Sequence, residues 1–338
     1  MMTQPTAPSP QLFFETAFAF QRTAATKAAI DLDIFTAIKE GNQTPWSLAL
    51  RCQASERGIR MLADYLVMLG FLTKANTTYH LTLDSEMFLV KTSPTYVGCT
   101  LDFILAPPIY DGFGSLTEAI RKGGTALDDK GTTAEEHSEW VTFAKAMVPM
   151  MVGPAHWIGE HLLSTRGTVT KVLDIAAGHG VFGVEIAKRF PAAEVTAVDW
   201  ANVLTIAQET ANAASLGSRY HTIPGSAFDV DYGAGYDIVL LTNFLHHFDP
   251  PTCEPLLRKV HGSLAPNGRV ITLEFVPNDD RISPASAEFA LIMLATTPAG
   301  DAYTFQELDG MFKNAGFGHS DIHAVPNSKE HVIITQRS

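Results

Sequence analysis

Apolar residues recur at helical spacing through the first part of the chain. Between residues 12 and 38 they fall at Phe13, Phe14, Ala17 and Phe20, then at Ala28, Ile30, Leu32, Ile34, Phe35 and Ile38, a pattern that predicts helix. The ten residues before it are polar and Pro-rich and read as a loose tail. Thr44 followed by Pro45 is an N-cap with proline at the first helical position, and Ser55-Glu56 opens a second helix in the same way. Two short apolar runs, 71–74 and 79–83, flank a polar turn at 75–78 and predict a hairpin. Helices followed by a small hairpin give a winged-helix pattern. Residues 95–165 read as mostly helical.

The pattern changes at residue 171. Strands are predicted over 171–175, 194–198, 219–223, 236–242, 269–275, 319–324 and 331–335, with helices over 181–190, 202–214, 252–264 and 305–315. Such alternation predicts an α/β fold with a doubly wound, mostly parallel seven-stranded sheet that binds ligands at the carboxyl ends of its strands. The chain then divides into a winged-helix-like module (1–100), a helical connector (101–165) and a nucleotide-binding domain (166–338).

Charge narrows the partners. The 338 residues carry a formal net charge of -12, which disfavours nucleic acid, because affinity for phosphate backbones comes from Lys and Arg. The helix that would read DNA carries Glu56, Arg57, Arg60 and Asp64 and is close to neutral, so packing or dimerisation suits the module better. Cys52, Cys99 and Cys253 lie far apart with no CxxC spacing, which argues against disulfides and a zinc site. No secretory leader and no long apolar run occur, so a cytoplasmic protein without a membrane span is expected.

The chemistry concentrates in Val172-Leu173-Asp174-Ile175-Ala176-Ala177-Gly178-His179-Gly180. A buried strand ends in an acid and then in a glycine turn, with Gly178 and Gly180 allowing close backbone approach. The next strand ends at Asp199, placed to accept ribose hydroxyls. Asp174 separates two cofactors. A carboxylate beside the pyrophosphate of NAD would repel it, whereas S-adenosylmethionine (SAM) has an ammonium and a cationic sulfur instead. Trp200 either covers an adenine or packs beneath the following helix. Ser226, Ala227 and Phe228 follow the third strand, where an adenine edge and face would lie. His246 lies just beyond the fourth strand, and imidazole is the natural base near neutral pH. Glu274 ends the fifth strand and is positioned to hold its other nitrogen. His247 is a rival for the same role.

These segments, together with Asn243-Phe244-Leu245-His246-His247-Phe248, Val270-Ile271-Thr272-Leu273-Glu274 and Met293-Leu294-Ala295-Thr296-Thr297-Pro298-Ala299-Gly300, resemble the plant-type small-molecule O-methyltransferases, the caffeic acid and acetylserotonin group, over nearly the whole chain. The resemblance implies a class I SAM-methyltransferase sheet and a homodimer built through the N-terminal module. It also implies metal-independent methyl transfer from SAM, with S-adenosylhomocysteine (SAH) as product. It puts the base at His246, its assistant at Glu274, and Asn243 with the cofactor residues. Phe143, Met147, Met293 and Thr297 would line the pocket of an aromatic or polyketide-like acceptor. The sequence departs from the family at Ala302, where a second glutamate is expected, at Ser226, where an acid is expected, and at Thr242, where a basic residue is expected. Tyr303 is a substitute hydroxyl for the lost glutamate. A relative performing N- or C-methylation, or non-methylating chemistry, is the main alternative. An NAD-dependent dehydrogenase and a DNA-binding regulator are weaker ones.

Overall fold

Short, nearly continuous apolar runs build the larger sheet, whose central strands are buried on both faces. In the computed structural model, which describes residues 7–127, 131–133 and 139–338, the chain forms two units, Met1–Leu101 and Asp102–Ser338.

In the first unit, Pro45–Arg51 and Glu56–Met68 are capped as the sequence predicts: Thr44 Oγ1 accepts from Ser47 N at 3.1 Å, and Ser55 Oγ accepts from Gly58 N at 3.1 Å. The hairpin follows as β1 (Leu72–Ala75) and β2 (Thr78–Leu81). Phe35, Leu48, Ile59, Leu66, Leu72 and Tyr79 form its core. The single helical run expected over 12–38 is three helices, Gln11–Ala17, Phe20–Asp31 and Ile34–Lys39. One break falls at Asp33, whose φ of 58° lies in the left-handed region that aspartate tolerates better than most residues.

The second unit carries a seven-stranded mixed sheet: β3 (Lys171–Ile175), β4 (Glu194–Asp199), β5 (Tyr220–Pro224), β6 (Tyr236–Thr242), β7 (Leu264–Glu274), β8 (Phe317–Ala324) and β9 (His331–Arg337). Their order is β5-β4-β3-β6-β7-β9-β8. The first five run parallel, β9 is antiparallel to β7, and β8 is antiparallel to β9. Val172, Val195, Ile238 and Ile271 point to the face covered by helices Val148–Thr165, Val181–Arg189 and Ala201–Ala213. Leu173, Ile175, Val239 and Val270 point to the face covered by Pro250–Ser263 and Phe305–Asn314. The helices expected as a separate connector thus belong to this unit, where Ile158 and Leu162 are part of the first face's core.

Two boundaries move. The helix expected from 252 starts at Pro250, because Asp249 caps it (Thr252 N to Oδ1, 3.0 Å) and proline suits its first position. The fifth strand begins at Leu264 rather than 269, with a register shift in its pairing that accommodates Pro266 and Gly268. Within the stretch read as mostly helical, one helix ends at Ala146 and another, Val148–Thr165, begins with Pro149 in its first turn.

Candidate functional site

The carboxyl ends of β3, β4, β5 and β6 open onto a cavity of about 270 Å³. Each wall is a loop that its strand delivers. After β3 the chain turns at Gly178 (φ +55°) and Gly180 (φ +72°). A side chain at Gly180 would stand 2.8 Å from the Tyr220 hydroxyl and 3.0 Å from Ala207 Cα, so only glycine lets this turn pack on the next helix. Gly178 N donates to Asp199 Oδ2 at 2.8 Å, and Trp200 N to Asp199 Oδ1 at 2.7 Å. Both carboxylate oxygens are thereby oriented, and each keeps a lone pair for a ligand. Burial pushes Asp199 up to about 6, with the two backbone donors opposing the shift.

After β5, Phe228 N donates to Ser226 Oγ at 3.2 Å. The turn is held from behind by Lys259, whose ammonium donates to the carbonyls of Ala227 (3.1 Å), Phe228 (3.0 Å) and Val230 (2.6 Å). It also lies 4.5 Å from the centre of the Tyr232 ring. Phe228 meets Phe248 edge-on at 5.0 Å, and Phe244 lies 5.3 Å from Phe248, giving the cavity an aromatic wall. Trp140, Phe143 and Trp200 line it elsewhere.

The two histidines diverge. His246 Nδ1 is bonded to Glu274 Oε2, and Glu274 Oε1 accepts from Phe244 N (3.1 Å) and Leu245 N (2.9 Å). The end of β7 therefore fixes both the imidazole and the turn that carries it, and the His246 ring is buried behind the cavity lining. The His246 ring faces Phe289 at 4.8 Å. His247 lines the cavity instead, 5.2 Å from Trp140. Burial, with the neighbouring His246, holds His247 well below the ordinary histidine value, so it is neutral.

Several expected residues meet at this cavity: Phe143, Gly178, Asp199, Trp200, Ser226, Ala227, Phe228 and Asn243. Others do not. Asp174, expected beside a ligand ammonium, is fully buried and is not among the residues that line the cavity. It shares a face with Val172, beneath helix Val181–Arg189, and its Oδ2 accepts from Gly183 N at 3.1 Å while Oδ1 has no partner. Burial pushes it up to about 8. Gly180 and Glu274 act from behind the wall. Met147 and Met293 are buried outside the lining. The Thr297 hydroxyl donates to Met293 O (2.7 Å) and accepts from Gly300 N (2.9 Å), so it is not a spare anchor for a substituent. The Tyr303 hydroxyl donates to Phe248 O at 2.6 Å and does not replace an acid. Sequence reasoning missed Trp140, Phe244 and Phe248 as wall residues, although the last two stand in a motif already singled out. It also missed Lys259, which carries no local signal.

The donor set suits SAM. Glycine turns without a phosphate cradle of Lys or Arg, an oriented carboxylate and an aromatic wall fit an adenosyl group with a cationic sulfur. No Lys or Arg lines the cavity among the described residues, so it offers no cationic side chain to a phosphate. No group of three or more His, Cys, Asp or Glu suited to a metal ion occurs among the described residues. No helix among them is long and apolar enough to cross a membrane.

Comparison with known proteins gives matches over both units. Residues 130–318 match the family profile described as the O-methyltransferase domain, and residues 14–91 match the O-methyltransferase dimerisation domain. The chain is 25% identical over 317 residues (93% of this chain, 91% of the relative) to 3-hydroxy-5-methyl-1-naphthoate 3-O-methyltransferase of Streptomyces sahachiroi. A crystal structure from Nostoc punctiforme, provisionally described as an O-methyltransferase, superimposes with a TM-score of 0.94 at 54% identity, covering 98% of this chain and 100% of that one. Human N-acetylserotonin methyltransferase, solved in complex with SAM, shares the fold with a TM-score of 0.84 at 21% identity, covering 100% of both chains.

Proposed function

The chain belongs to the O-methyltransferase family, and on that premise we propose that it methylates a hydroxyl of a small aromatic or polyketide-like acceptor, with His246 as general base and Glu274 assisting. It is a SAM-dependent methyltransferase of the natural-product type. When bound, SAM supplies a methyl group on a cationic sulfur. Gly178, Asp199, Trp200, Ser226, Ala227, Phe228 and Asn243 would hold it, with Asp199 toward the ribose and Phe228 toward the adenine.

The observation that carries the reading is the bond between His246 Nδ1 and Glu274. It sets the tautomer, so that a neutral His246 presents Nε2 as an acceptor. A phenol has a pKa of about 10 and must lose its proton as the methyl group moves. The Glu274 carboxylate stabilises the resulting imidazolium, and its two backbone bonds keep it from turning away. Ala302, fully buried, supplies no second carboxyl. On the acceptor side the reading draws on Phe143 and Trp140, apolar surfaces on the cavity wall for a flat ring.

The test is His246→Ala. SAH binding by calorimetry should persist while methyl transfer to a panel of phenols falls by at least about 10²-fold. Unchanged turnover would remove His246 as the base.

We also propose a homodimer built through the first unit. Its support is the match over residues 14–91 and the exposure of Leu12 (76%), Phe13 (68%) and Phe14 (50%). Sedimentation of the full chain at micromolar concentration should give two copies, and a monomer would contradict it.

A further inference from the structure

One buried acid near the base has no part in the scheme above. Glu330 immediately precedes β9, whose first residue, His331, lies opposite Glu274 in the β7–β9 pairing. That register brings Glu330 to the ligand edge of the sheet, where it is only 3% exposed. Its Oε2 accepts from Ser328 Oγ at 3.2 Å, and its backbone N donates to the same oxygen at 3.1 Å. Its Oε1 makes no well-formed hydrogen bond, and the Asn243 side chain lies beside it and favours its ionised form.

A buried carboxylate oxygen without a well-formed hydrogen bond is costly. Asn243 cannot withdraw. Its backbone is held at a φ of 53°, its N donates to Leu273 O at 2.8 Å, and its Nδ2 donates to Met151 Sδ at 3.3 Å. Two arrangements satisfy the pair. A neutral Glu330 donates its O–H to Asn243 Oδ1, or the amide turns over and donates N–H to an ionised Glu330. Asn243 lines the cavity next to the turn that bears His246.

We propose that Glu330 is a positioning acid of the base assembly, whose charge acts on His246 through space and on the cavity through the Asn243 amide. The inference rests on His246 being the base. The charged and titratable groups facing Glu330 are Glu274 from β7 and His246 from the 245–247 turn. On its own segment, Lys329 is drawn off to Glu288 at the surface, and burial holds His331 below the ordinary histidine value. Burial pushes Glu330 up to about 7, Glu274 adds to the rise, and Asn243, Ser328 and His246 oppose it. Neutral below that pH and ionised above it, Glu330 adds a negative charge that favours the imidazolium as pH rises.

Glu330→Gln keeps the shape and cannot ionise. Rates of this variant and of wild type should be nearly equal at pH 6, where both are neutral, and differ by about tenfold at pH 8, one pKa unit of lost charge stabilisation. SAH affinity should stay within about twofold, which also reports folding; Glu330→Ala serves only as the more disruptive comparison. In NMR titrations, the pH midpoint of the His246 ring resonances should fall in Glu330→Gln, a readout that needs no acceptor. A rate ratio independent of pH, or an unmoved His246 midpoint, overturns the inference. A midpoint that moves in an enzyme that methylates no hydroxyl would instead overturn the functional reading on which the inference rests.

Discussion

Gly300 lies against the carbonyl of His246: a β-carbon there would stand 2.3 Å from that oxygen and 2.6 Å from Thr297 Oγ1. The next residue completes the contact, since Asp301 N donates to His246 O at 3.0 Å. The segment after helix Phe289–Thr296 therefore clamps His246 from one side while Glu274 holds it from the other.

This close approach makes Gly300→Ala a sharp test of positioning. Overpacking should cost about 1–3 kcal/mol of stability and push the His246 turn out of line. The turnover number should fall by about 10- to 100-fold, as for a misplaced catalytic group, with SAH affinity retained. Wild-type turnover in the folded variant would mean that the clamp is not needed.

Lys259 should matter to the cofactor and not to the chemistry. Its ammonium holds three carbonyls of the turn that carries Ala227 and Phe228. Hydrogen bonds to a charged group contribute roughly 1.5–3 kcal/mol each, and part of that holds the turn in place. Lys259→Met keeps the apolar stem and loses the charge. The SAH dissociation constant should rise by about tenfold while the turnover number at saturating SAM changes little. Equal SAH affinity in calorimetry would show that the turn holds its own shape.

Asp174 gives a pH dependence with a definite sign. Burial raises it from 3.8 to about 8. Because the folded chain binds that proton more tightly than the unfolded chain, the stability it contributes is complete below about pH 4 and is lost as pH climbs through about 8. Asp199, raised to about 6, acts in the same sense over a narrower window. The unliganded protein should therefore weaken between pH 5 and 8. Asp174→Asn cannot ionise and should flatten much of that slope, with a gain on the order of a few kcal/mol at the alkaline end. Urea unfolding at three pH values checks this, and parallel curves for the two proteins would show that Asp174 ionises without penalty.

Much of the site was legible along the chain because its parts are local. A strand, a glycine turn and a helix are neighbours in sequence, so Gly178 and Gly180 could be read from spacing. Asp199, Ser226 and Phe228 follow strand ends, and a parallel sheet puts all such ends on one edge. Phe244 and Phe248 were visible as part of a motif but not as a wall, because their packing on Phe228 joins segments from two strands.

The sequence by itself determined the two-faced strands, the capped helices, the order of the α/β elements and the ligand edge, since alternation, caps and turns are short-range physics. Only the tertiary structure decided which face each polar residue takes and which distant residues meet. Asp174 follows the alternation of its strand to the face beneath helix Val181–Arg189 and so leaves the cavity. His246 and His247 are chemically alike in sequence, and the carboxylate of Glu274, delivered by another strand, separates them. Glu330 reaches the same place through the register of β9 on β7. The pattern within a strand sets its two faces, but which strands become neighbours is decided by the whole sheet at once.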